Sequence, residues 1–242
     1  MIRNIENGRH PAEIDFKNKL ARTALRVAGH PFLFRERTIH ADPEGLSRAE
    51  QLHKEGYGIL NLITHPSRRE PHQAMASTTR RREFRYQRIS VPLAAHQTMG
   101  GLVPAVARAC GTHLHEVVTQ RTIDLGKANG RSLGAGSLEY TKDAIRTLAK
   151  GGVVIMAPQL TRKQVLEYAG EDSVDSLLRV AERRNKKIAV HLIAFEYKGF
   201  WGIKYLDDYS KRKGLNLGRQ YRVIHGPTFT LDEVREFSKK FR

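Results

Sequence analysis

Gly58-Ile-Leu-Asn-Leu-Ile63-Thr-His65-Pro-Ser-Arg-Arg-Glu70 is the stretch on which the reading of this chain turns. The run from Gly58 to Ile63 is short, apolar and bounded by turn residues, which predicts a buried strand. Before it, Leu46–Glu55 has helical character and stops at Gly56, since glycine tolerates the left-handed backbone of a helix end. After it come Thr64, His65, Pro66 and Ser67, so the strand delivers a histidine into a turn. Helix, buried strand and polar turn in that order form the repeating unit of an α/β fold.

The same alternation continues outward. Ile89–Pro92 predicts a short strand, Gly101–Cys110 a helix of small residues, and Leu114–Gln120 a strand leading to a glycine-bearing loop over Gly126–Gly136. Ser137 is the expected N-cap of a helix to Lys150, whose Thr141, Ala144, Ile145 and Leu148 share one face, and Gly151 ends it. Val153–Met156 and Ile188–Phe195 are expected buried strands, separated by a helix over Val174–Arg184 that Asp172 or Ser173 caps. Thr230-Leu-Asp-Glu233 is a capping box opening a C-terminal helix. The expectation is a single α/β domain with a buried mixed or mostly parallel sheet flanked by helices. Residues 1–45 form a basic N-terminal helical segment and 46–242 the domain proper.

Within that segment, Pro11–Val27 reads as a basic amphipathic helix, apolar at Ile14, Leu20, Leu25 and Val27 and cationic at Lys17, Lys19, Arg22 and Arg26. It either packs on the domain with a solvated basic face or meets anionic lipid. The 242 residues carry 42 Lys+Arg against 25 Asp+Glu, a formal +17, which attracts polyanions. The single cysteine, Cys110, rules out an intrachain disulfide or a cysteine metal cluster and fits a reducing cytosol. No secretory signal is expected at the N-terminus, and no apolar run approaches the length of a membrane span.

His65 and Glu70 are the expected chemical centre. A carboxylate five residues on can fold back in the turn onto one imidazole nitrogen, fix the tautomer and leave the other nitrogen basic. Such a histidine can take a proton from a hydroxyl near neutral pH. A second constellation runs Gly151-Gly-Val-Val-Ile-Met-Ala-Pro158-Gln-Leu-Thr-Arg162, a glycine pair and buried strand ending in a turn that carries an arginine. Its guanidinium has the planar fork that suits phosphate. The phosphate P-loop does not occur.

These two blocks resemble the glycerophospholipid acyltransferase superfamily, which pairs a strand-borne H-x4-D with a later G-G-x-V-x-x-F-P-E-G-T-R. Val117-Val-Thr-Gln-Arg121 looks like the family's middle block, and Ala189–Ala194 sits where the family has a strand with a proline. The resemblance covers roughly Leu46 to Phe229 and implies a glycerol-3-phosphate acyltransferase-like fold. It implies His65 as general base oriented by Glu70, with Arg121 and Arg162 binding the acceptor's phosphate. Ser67, Pro158, Gln159 and Thr161 would shape the site. The implied partners are acyl-CoA or acyl carrier protein as donor, a lysophospholipid-type acceptor such as lysophosphatidic acid, and an anionic membrane surface. The implied location is cytoplasmic, peripheral on the inner face of a membrane. Glutamate replaces the family's aspartate at Glu70, as in the lipid A late acyltransferases. Gln159, Leu160 and His191 stand where the family has glutamate, glycine and proline, which keeps a non-catalytic lipid-binding member of the same fold open.

Other clusters carry less. His113-Leu-His115 has a metal-like spacing without a clear third or fourth ligand, so neither a metal nor a cofactor is expected. His53 and His96 read as surface or loop residues. The arginines of Arg80–Arg88 read as a basic rim for anionic headgroups or an acidic carrier protein. The alternative is a basic nucleic-acid-binding protein; no nucleic-acid-binding signature occurs, and nucleic acid is not the expected partner.

Overall fold

The computed structural model describes residues 13–29, 36–64, 70–94, 102–117, 136–157, 171–184, 186–198, 204–205 and 221–240. Among the described residues eight strands form one sheet: β1 (Glu36–His40), β2 (Gly58–Ile63), β3 (Ile89–Ala94), β4 (Thr112–Val117), β5 (Val153–Met156), β6 (Ile188–Lys198), β7 (Lys204–Tyr205) and β8 (Tyr221–Thr230). Among the described residues seven helices accompany them: α1 (Phe16–Ala24), α2 (Gly45–Lys54), α3 (Glu70–Arg80), α4 (Leu102–Ala109), α5 (Gly136–Ala149), α6 (Glu171–Arg183) and α7 (Leu231–Lys240). A π-helical turn, Leu25–Gly29, extends α1.

The strand order is β1-β8-β6-β2-β5-β3-β4, with β7 beside β6. Neighbours from β6 to β4 pair in parallel, whereas β8 runs antiparallel to β6 and β1 parallel to β8. The chain is thus α/β in a single domain, with a mixed and mostly parallel sheet flanked by helices. β1 lies within residues 1–45, so the sheet takes in a strand from the N-terminal segment.

Both faces of the sheet are covered, which is why β2 and β5 are apolar almost throughout. On one face Ile59, Ile63, Val153, Ile155 and Ile193 pack with Ala49 and Leu52 of α2 and Ala74 and Met75 of α3. On the other, Leu60, Val154, Met156 and Val190 pack with Ala144, Ile145 and Leu148 of α5 and Leu177 of α6. Gly151 has φ 79 and its N–H donates to Leu148 O at 2.9 Å, the left-handed stop that turns α5 into β5. Pro92 fits within β3 because pairing with β5 extends only over Ile89 and Ser90, leaving no ladder bond there for its missing N–H to make.

Several details depart from expectation. Residues 70–80, for which no element is expected from the sequence, are helix α3 with Gln73, Ser77 and Thr78 buried beside Ala74 and Met75. His53, expected at the surface, is 2% exposed and packs its ring 5.1 Å from Phe84. The Arg80–Arg88 stretch is not simply a solvated rim, because Arg81 and Arg88 bond into the interior and Phe84 and Gln87 are buried. The N-terminal helix spans less than Pro11–Val27 in regular form and packs on the domain through Arg22, so its basic face is not wholly solvated.

Candidate functional site

In an open parallel sheet, ligands bind beyond the carboxyl ends of the strands, where chain turns from strand to helix. Strand-to-helix connections leave that edge at 65–69 after β2, 95–101 after β3, 118–135 after β4 and 158–170 after β5. The expected site residues belong to three of them. His65 and Ser67 follow β2, Arg121 follows β4, and Pro158, Gln159, Thr161 and Arg162 follow β5. All seven lie outside the described residues, as does His96.

Their anchor points are described. β2 and β5 are parallel neighbours with Leu62 opposite Met156, so both expected blocks depart from one edge on adjoining strands. Thr64, the residue before His65, is held twice: its N–H donates to Ile193 O at 3.0 Å, and its Oγ1 accepts from Phe195 N–H at 3.0 Å. Glu70 is the first residue of α3, with Pro71 in the first turn, where a missing N–H costs nothing. Glu70 is therefore a helix residue rather than the turn residue expected. The H-x4-E block spans the β2–α3 connection, from strand exit to helix start.

A buried polar chain crosses the α2/α3 face. Thr228 Oγ1 donates to Gly45 O at 2.6 Å, which uses its one proton. It must then accept from His191 Nδ1–H at 2.8 Å, so His191 Nε2 is the acceptor for His225 Nδ1–H at 2.9 Å. His225 Nε2 is left to face Arg81 Nη2 at 3.4 Å, and Arg81 also donates to Thr38 Oγ1 at 2.9 Å. The tautomers follow from the hydroxyl at one end and the guanidinium at the other. Both imidazoles are 2% exposed. Burial, then Arg81, lowers His191 to about 4; burial, then His191 and Arg81, lowers His225 to about 3. Neutral and sealed, the pair has no access to a substrate.

A second cluster sits at β4. His113 and His115 share its α5 face, with ring centroids 6.2 Å apart. Asp143 of α5, absent from the sequence reading, supplies a third donor: the ligand atoms of His113, His115 and Asp143 lie within 4.8 Å of one another. Asp143 Oδ2 is 2.8 Å from His115 Nε2, and Oδ1 accepts from Arg88 Nη2 at 2.7 Å. The same Nη2 lies 3.2 Å from His113 Nδ1. A guanidinium thus occupies the ground between the donors and supplies the positive charge a cation would bring. Burial raises the Asp143 pKa, but the His115 hydrogen bond and the Arg88 charge outweigh it and leave the carboxyl below its usual range. Burial and Arg88 together lower His113.

A groove of about 770 Å³ runs between α5 and α6, with Lys142, Arg146, Lys150, Arg184 and Lys186 along its sides. Lys150 and Arg184 follow the helix ends that lead back to the amino ends of the strands. The groove's cationic end is therefore away from the edge at which β2 and β5 end. Among the described residues no helix is long and apolar enough to cross a membrane. No family model matches the chain, and no curated protein matches it.

Proposed function

We propose that this chain is an acyltransferase related to the glycerophospholipid acyltransferase superfamily and built on its glycerol-3-phosphate acyltransferase-like fold. It moves a fatty acyl group from acyl-CoA or acyl carrier protein to a hydroxyl of a phosphorylated, lipid-like acceptor such as lysophosphatidic acid. The observation that carries the reading is topological. The His65 and Arg162 blocks follow β2 and β5, parallel neighbours joined at Leu62 and Met156, and the Arg121 block follows β4 at the same edge.

In this reading His65, oriented by Glu70, takes the acceptor's hydroxyl proton as the oxygen attacks the thioester carbonyl. The carbon–sulfur bond breaks, the ester forms, and the thiol leaves with a proton from the imidazolium. General-base assistance of this kind is worth roughly 10²–10⁴ in rate. Arg121 and Arg162 hold the acceptor's phosphate, and Ser67, Pro158, Gln159 and Thr161 shape the cleft. We assign the protein to the cytoplasmic face of a membrane as a peripheral enzyme.

The test is thiol release from acyl-CoA or acyl carrier protein in the presence of lysophosphatidic acid. His65→Ala is expected to lower turnover at least a hundredfold with an unchanged melting temperature, and full activity in that variant overturns the mechanism. A non-catalytic lipid-binding member of the same fold is favoured by Gln159 and Leu160. Lipid binding by pure wild-type protein without turnover on any donor and acceptor pair would select it.

A further inference from the structure

Helix α1 is amphipathic the wrong way round. Its packed side is polar: Arg22, 3% exposed, donates from Nε to Cys110 O at 2.8 Å and from Nη1 to Arg85 O and Gln87 O at 2.9 Å each. Asn18 lies on the same side, and a Cβ on Gly111 would come within 3.2 Å of it and 2.8 Å of Ile14 Cγ2. The positive φ of 72 at Gly111 and its missing side chain let α1 seat this closely.

The solvent side is apolar. Phe16 is 80% exposed, Leu20 62% and Val27 65%, three of the four large apolar side chains exposed among the described residues. Phe16, Leu20 and the exposed Ala24 recur at i, i+4 and i+8, a single helical stripe that Val27 continues. Lys17 stands exposed beside Phe16. Packing on the domain accounts for the polar side and leaves the stripe unexplained.

We infer that this face docks on an anionic lipid bilayer, with Phe16, Leu20 and Val27 in the acyl–headgroup boundary and Lys17 among the headgroups. The inference rests on the reading above for the lipid-like acceptor that brings the enzyme to a bilayer; the surface itself is read from α1 alone. Charge favours this occupant. The chain is +17, and of the two acids at the start of α1, Glu13 is paired with Lys19 and Asp15 caps Asn18 N–H. A second copy would set two such cationic fields against each other. One nine-residue helix also offers far less than the ~800 Å² per partner of a stable protein interface. A bilayer accepts both a one-helix stripe and the surrounding cations.

The full chain is sedimented with phosphatidylcholine vesicles and with vesicles containing phosphatidylglycerol. Wild type is expected in the pellet with the anionic vesicles, and Phe16→Ser/Leu20→Ser/Val27→Ser is expected to bind at least tenfold more weakly at an unchanged melting temperature. Equal binding by the triple variant, equal binding to neutral vesicles, or wild type left in the supernatant overturns the inference. So does a wild-type dimer that the triple variant dissolves without any vesicle binding. If the triple variant is unfolded by circular dichroism, Phe16→Trp replaces it. Emission added over that of wild type must then shift to the blue with anionic vesicles, and no shift overturns the inference. His65→Ala binds vesicles like wild type, so a failed lipid surface and a failed chemistry give separate results.

Discussion

His191 with His225 and His113 with His115 are two histidine pairs in one sheet with different partners. The first pair is joined nitrogen to nitrogen at 2.9 Å, sealed between β6, β8 and the helices, and kept neutral. The second stands at the edge strand with a carboxylate against one ring and a guanidinium against the other. Identical side chains are thus a packed hydrogen-bond chain in one place and part of a charge network in the other. What decides is the third group: Thr228 fixes one pair's protons, and Asp143 gives the other an ionic partner.

Acid should separate the pairs most strongly. The folded pKa of His191 lies at about 4 and that of His225 at about 3, below the ordinary histidine value. As pH falls through about 6.5 the unfolded chain takes up these protons first, so acid favours unfolding. The stabilisation is complete above the unfolded value and is lost progressively as pH falls toward the folded ones. Each unit of depression is worth about 1.4 kcal/mol, so one such histidine withdraws roughly 3 kcal/mol by pH 4. Urea unfolding at pH 7 and pH 4.5 measures this, with a lower midpoint expected at pH 4.5. A stability that does not change over that window breaks the distinction between the pairs.

Truncating the sealed pair comes next in size. His225→Leu removes the donor to His191 Nε2 and the acceptor facing Arg81 while keeping the volume apolar. A buried group left without its partner costs about 1–3 kcal/mol, and unfolding at pH 7 should show a loss in that range. The acid sensitivity of the variant should fall with it, because one of the two coupled imidazoles is gone. A loss below about 0.5 kcal/mol would mean that the hydrogen-bond chain is not holding the β6–β8 pairing.

The same contrast explains what could be read before the fold was known. β2 at Gly58–Ile63 and β5 at Val153–Met156 coincide with their predicted spans because each is a nearly unbroken apolar run covered on both faces. β8 was missed because two of its inward positions are His225 and Thr228, so its alternation does not look hydrophobic. β1, Glu36-Arg-Thr-Ile-His40, is a charged strand whose partner among the described residues is β8, nearly two hundred residues on. α3 was missed because Gln73, Ser77 and Thr78 fill buried positions that normally show the apolar period. Asp143 was hidden for a related reason. It sits on the packed face of α5 like a core residue, and only the fold brings Arg88 and His115 to it. Of the expected site residues only the backbone of Glu70 lies within the described residues, and the order of β2 and β5 in the sheet puts the ends of the strands before His65 and Pro158 at a common edge.

The smallest effect expected is at the exposed pair, and it tests whether Arg88 has displaced a cation or merely supports the helix. Asp143→Asn keeps the shape of the side chain and removes its charge, so Arg88 loses its ion pair and His115 its ionic acceptor. Arg88 is a quarter exposed and Asp143 about half that, so solvent screens much of the interaction, and partly exposed pairs contribute about 1 kcal/mol or less. Unfolding at pH 7 should show a loss of that order. The loss should shrink at low pH, where the wild-type carboxyl is protonated too. If Arg88 supplies the positive charge, wild type should not be stabilised by added zinc, whereas Arg88→Ala, with no guanidinium between the three donors, should gain melting temperature on titration with zinc. A wild type that zinc stabilises as much as it does Arg88→Ala would show that the guanidinium yields to a metal. The edge pair would then be a ligand set rather than a charge network, and the difference between the two histidine pairs would be one of function as well as burial.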